Sequence, residues 1–160
     1  MPVSTYDDVR RPGAEREEGS ADRRWRVLVA VDGTPSGARA LRWSLDLAEQ
    51  FSARVTAVVI QGRLPAYPAT VAEVDAELAR RQERFDPIGV AVLDEGTERG
   101  VEMDVQFRHG VRSRVLRREA AANRYQLIVV GRANPLRWLL GAGSPSSLAR
   151  TLSCPVVVVN

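Results

Sequence analysis

Four short runs of aliphatic and β-branched residues limit what this chain can fold into: RVLVAVD from Arg26, VTAVVI at 55–60, QLIVVG at 126–131 and PVVVVN at 155–160. Runs of this length, apolar at almost every position, suit strands covered on both faces. Between them lie stretches with helical spacing. Thr34 and Pro35 read as N-cap and first helical residue, because proline has no amide to waste there and its ring presets φ. The helix they open extends to about Phe51. Ala38, Leu41, Leu45 and Ala48 form one face of it, and Trp43, Leu47 and Phe51 widen that face.

The stretch from Gly62 to Pro68 carries two prolines and reads as a loop. Val71, Val74 and Leu78 begin a second helix, which Pro87 is expected to kink or split before the pattern resumes through Val92 and Leu93 and stops near Gly100. VEMDVQF, at 101–107, alternates apolar and polar residues, as a strand near a sheet edge does. After Gly110, VRSRVLRREAAA reads as a helix with Val111, Val115 and Leu116 inward and Arg112, Arg114, Arg117 and Arg118 mostly outward. A short helix from about Ser144 to Leu152 precedes the last strand. Strands alternating with helices make βαβ units, whose right-handed crossovers place helices on both faces of a parallel sheet. The expected fold is therefore α/β: a doubly wound, Rossmann-like, five-stranded parallel sheet. In such sheets ligands bind beyond the carboxyl ends of the strands where the winding direction reverses, and Asp32 and Gly131 both sit at strand ends.

A chain of 160 residues fits one domain, here expected over residues 25–160. Residues 1–24 mix both charge signs with Gly, Pro and Ser and few apolar residues, and read as a disordered tail without the apolar stretch of a signal peptide. All 23 basic residues are Arg, yet the net charge is only +3 and acids are interspersed throughout, so neither nucleic acid nor a membrane is an expected partner. The single cysteine, Cys154, forms no internal disulfide and reads as a small buried hydrophobe in a reducing compartment, so the cytoplasm is expected. His109, the only histidine, has no acid or nucleophile motif beside it and reads as a loop residue.

RVLVAVDGTPSGARALRWSLDLA, followed by QLIVVGRANPLRWLLGAGSPSSLARTLSCPVVVVN, resembles the opening and closing blocks of the universal stress protein family, a likeness covering about residues 25–160. Family members that bind ATP share a G-x2-G-x9-G-[ST] pattern. Here it stands as G-x2-N-x8-G-S: Gly131, then Asn134 in place of the second glycine, then Gly143 and Ser144 one residue early. Asn is the next-best residue to Gly for a left-handed turn. A helix starting near Ser144 offers free amides and a positive dipole end, with the Ser144 and Ser146 hydroxyls as further donors.

By the same resemblance Asp32 stands where the family places an acid near ribose or adenine, and Ile60 where a strand-end backbone group meets adenine. Arg132 and Arg137 flank the loop, within reach of phosphate, although neither is part of the family motif. The resemblance implies a regulatory stress-response protein whose ligand is ATP, with Mg²⁺ accompanying it, or another adenine nucleotide. It also implies a homodimer through the strand at 155–159. The altered loop equally suits a dimeric interaction module of the same fold that binds no nucleotide. Read without the family, Asp32 is a turn cap, Gly131 a tight strand exit and Ser144 an N-cap, while Arg132 and Arg137 are solvated. Trp138, Leu139 and Leu140 read as a cluster packing on the protein or a partner. No nucleophile elbow, Walker lysine or metal-ligand cluster stands in the chain, so catalysis is not expected, slow ATP hydrolysis aside.

Overall fold

The computed structural model describes residues 24–62, 70–132, 149–152 and 154–160. The tail expected at 1–24, all but its last residue, lies outside these. So do most of the loop expected at 62–68, the start of the helix expected from Ser144, and the Trp138 cluster. Strands β1 (Arg26–Val31), β2 (Arg54–Ile60), β3 (Met103–Arg108), β4 (Leu127–Gly131) and β5 (Val156–Val159) form one parallel sheet in the order β3-β2-β1-β4-β5. Helices α1 (Pro35–Phe51), α2 (Val71–Glu98) and α3 (Arg112–Ala122) connect them, and residues 149–151 are helical ahead of β5.

The alternation of side chains along β1 explains why its run is apolar throughout. Val27, Val29 and Val31 point into one core with Ala40, Leu41, Leu45 and Val92, beneath α1 and α2. Leu28 and Ala30 point into a second core with Val115, Leu116 and Tyr125, beneath α3, where Leu152 and Cys154 also pack. The sheet is thus covered on both faces, as expected. The first three strands step outward from β1 to β3, and the chain then returns to place β4 on the other side of β1 and β5 beyond it. The winding direction therefore reverses between β1 and β4.

Local chemistry sets the element ends. Thr34 caps α1, its Oγ1 accepting from the Gly37 amide at 3.2 Å, with Pro35 as the first helical residue. α2 begins with a capping box that the sequence reading passed over. Thr70 Oγ1 accepts from the Glu73 amide at 3.3 Å, and the Glu73 carboxylate accepts from the Thr70 amide at 2.7 Å.

The expected break at Pro87 does not split α2, which runs unbroken from Val71 to Glu98. Phe85 and Gly89 on either side of the proline, and Val92 and Gly96 beyond, are buried, so packing on the sheet holds the helix together across the missing amide. β3 lies at the sheet edge, as its alternation predicts, and β5 forms the other edge. Cys154 is half-buried rather than buried, and partial burial raises its thiol pKa. Among the described residues no helix is long and apolar enough to cross a membrane.

Candidate functional site

The crevice at the winding reversal is built from the end of β1, the end of β4 and the first turn of α1. Beyond Val31 the chain passes through Asp32 and Gly33, the latter at φ +74, a left-handed conformation that favours glycine. Thr34 then opens α1. The Asp32 carboxylate turns back over this corner. Its Oδ1 accepts from the Thr34 amide at 3.1 Å and from the Thr34 hydroxyl at 2.5 Å, and that hydroxyl lies 3.0 Å from Ser36 Oγ. Asp32 therefore does cap the turn. Its other oxygen, Oδ2, lies 3.7 Å from Arg112 NH2, and the side chain is 25% exposed.

Arg112 is the residue that sequence reasoning placed wrongly. It was expected mostly outward with its neighbours on α3; Arg114, Arg117 and Arg118 are indeed exposed, but the Arg112 side chain is only 20% exposed and reaches β1. The helix stripe predicts the face of a residue but not the reach of a long side chain from the first turn. Arg112 stands where α3 starts, at the same end of the sheet as the β1 and β4 exits, close enough to span to Asp32.

Gly131 ends β4 directly against α1. A Cβ added there would collide with the Ser36 carbonyl and stand 3.0 Å from the Gly37 amide nitrogen, so the glycine is required by close backbone approach. Arg132 turns away from the crevice. Its amide donates to the Val159 carbonyl at 2.7 Å and its NH1 to Asn160 Oδ1 at 3.1 Å, which ties the β4 exit to the end of β5. Arg39, from α1, donates to the Asn160 carbonyl at 3.1 Å. Ile60 ends β2 as part of the α3-side core, 8% exposed, and the next amide, Gln61, donates to the Arg108 carbonyl at 2.9 Å.

Of the predicted site residues, the structure therefore brings Asp32 and Gly131 to one crevice. It gives Ile60 a core side chain and Arg132 a partner on β5. Asn134, Arg137, Gly143, Ser144 and Ser146 lie outside the described residues. His109 follows β3 directly and helps to line a separate cavity along α3. Among the described residues no group of three or more His, Cys, Asp or Glu is placed to hold a metal.

A profile of the Universal stress protein family matches residues 24–160. No curated protein sequence matches the chain. Several solved structures share the fold. A universal stress protein family protein from Burkholderia pseudomallei is 25% identical, with TM-score 0.64 over 84% of this chain and 94% of its own. One from Arabidopsis thaliana with AMP bound is 19% identical, with TM-score 0.63 over 84% and 90%. Another, from Archaeoglobus fulgidus in complex with dAMP, is 18% identical, with TM-score 0.57 over 85% and 98%. With the family profile spanning every described element and the same doubly wound sheet beneath it, the chain belongs to the universal stress protein family.

Proposed function

We propose that this protein is a regulatory binder of adenine nucleotides, holding its ligand at the carboxyl ends of β1 and β4. The observation that carries the reading is the placement of Asp32. It sits at the winding reversal, one carboxylate oxygen fixed by Thr34 and the other 3.7 Å from Arg112 NH2. A carboxylate so held accepts hydrogen bonds from ribose hydroxyls or an amino group without paying the entropy of being ordered. The acceptor chemistry thus fits the nucleoside half of the ligand. Relatives solved with AMP, cAMP and dAMP support the adenine class.

In this reading the phosphates extend toward the loop after Gly131, where Asn134, Gly143, Ser144 and Ser146 supply backbone amides and hydroxyls, and ATP with Mg²⁺ is the fullest ligand. Arg112 leaves Asp32 when ribose arrives and turns its guanidinium to the phosphates. Ile60 meets the adenine through its backbone, and Arg132 keeps the exit of β4 in place from Asn160. The folded unit runs from residue 25 to 160 behind a tail, works in the cytoplasm and binds rather than catalyses.

The test is thermal denaturation with millimolar AMP, ATP with Mg²⁺ and cAMP, since a ligand held only by the folded state raises Tm by mass action. At a hundredfold excess over Kd the gain is about 2.7 kcal/mol. A rise that disappears in Asp32→Ala is expected; an unmoved Tm with all three rejects the reading. A second reading, an interaction module without nucleotide, is favoured by β5. Its four valines are half-buried at a sheet edge, with no strand beyond them among the described residues.

A further inference from the structure

A cavity of about 210 Å³ lies between the end of β3 and α3, on the far side of β2 from the nucleotide crevice. Arg108, His109, Arg114, Val115, Arg118 and Glu119 help to line it. Its one acid is already spent. Glu119, buried, accepts from Arg108 Nε at 2.6 Å, while Arg108 NH2 donates to Gln106 Oε1 at 2.9 Å and NH1 to the Phe107 carbonyl at 3.1 Å. Arg114 and Arg118 are different: exposed, one turn apart on the cavity stripe of α3, and with guanidinium groups that make no ion pair or hydrogen bond among the described residues.

Two like charges at i, i+4 repel and weaken the helix that carries them. The start of α3 adds to the positive field. Val111 gives no side-chain cap and the first turn holds no acid, so the positive end of the helix dipole adds to the field of the two arginines. This surplus of positive charge asks for an anion.

Size and geometry narrow the anion. The cavity far exceeds the ~10–15 Å³ that one water needs, yet falls short of the ~300 Å³ at which small-molecule pockets begin, so it suits a small oxyanion better than a whole nucleotide. Phosphate, with several acceptor oxygens and close to two charges, engages two guanidinium forks at once, which a single carboxylate does less well. We propose that this cavity is a second anion site, taking a phosphate group on Arg114 and Arg118 and separate from the adenine-nucleotide crevice. Free phosphate and a small phosphomonoester share that chemistry.

The full chain, titrated with inorganic phosphate and separately with glycerol 3-phosphate at an ionic strength held constant with NaCl, is read by ³¹P chemical shift. Saturable binding is expected for at least one of them, and the tighter of the two identifies the source. R114Q/R118Q weakens it at least tenfold, while Asp32→Ala leaves it unchanged. The double variant relieves a repulsion, so its urea midpoint should equal or exceed that of the parent, which separates lost binding from lost folding. No saturable shift with either compound, binding unchanged in R114Q/R118Q, or binding lost in Asp32→Ala instead overturns the proposal.

Discussion

Gly131 shows how a single residue joins fold to site. The contact that forbids a Cβ is with the backbone of α1, which cannot swing aside as a flexible side chain does. Gly131→Ala should therefore act as an overpacking substitution and cost about 1–3 kcal/mol, read as a lower urea midpoint at constant m. Thr34→Ala removes an N-cap and should cost about 1 kcal/mol by the same measurement. The importance of Gly131 was legible as a motif residue, but not its reason, because close approach between two distant backbones leaves no mark on local spacing. The same holds for Arg112 and Asp32, eighty positions apart in the chain. The Thr34 cap, by contrast, rests on local chemistry and could be read directly. So could the Thr70–Glu73 box, where the T-x-x-E signal stands in plain sight.

Among the elements, α2 departs most from what propensity suggests. A proline in a helix interior costs about 3 kcal/mol relative to alanine, yet burial on both sides of Pro87 overrides it. Pro87→Ala should consequently stabilise the protein by about 1–3 kcal/mol. Lower stability would mean that the proline serves a bend the packing requires. Two residues on, a Cβ at Gly89 would stand 2.5 Å from Phe107 Cζ, so this helix lies close against the edge strand β3.

At the opposite end of the sheet, Glu102 ties the starts of two elements together. Arg24 NH1 lies 2.8 Å from its Oε2, and Arg54 Nε donates to its Oε1 at 2.9 Å. Burial pushes the Glu102 carboxyl up, but the two guanidiniums outweigh that and leave it below its usual 4.5. A depressed folded pKa contributes stability that is present above the unfolded value and lost as pH falls through the folded one. Glu102→Gln should thus cost about 0.2–1 kcal/mol at neutral pH, with the gap closing on acidification below about 4.5, as followed by urea midpoints across pH.

For the molecule as a whole, the strand runs made the doubly wound sheet legible. Residues apolar at every position have to be buried on both faces, and helices between them leave a parallel sheet as the solution. The β3 edge was legible too, from its alternation, whereas the dimer role of β5 came only from the family resemblance. Asp32 and Gly131 could be placed at the winding reversal from their strand ends, whereas Arg112 joins them only through the packing of α3 beside β1. The edge at β5, with no strand beyond it among the described residues, predicts self-association, with β5 pairing to its copy across a two-fold axis. Sedimentation at micromolar concentration should give twice the 17.6 kDa chain mass. A monomer throughout that range would remove β5 as an interface.

The measurement nearest the central claim is amide chemical-shift mapping of the full chain titrated with AMP. The account predicts saturable shifts centred on Asp32, Gly33 and Gly131, with Arg112 moving in step as it leaves Asp32. No shifts, or shifts confined to residues 108–118, would contradict an adenine nucleotide site at the β1 and β4 exits.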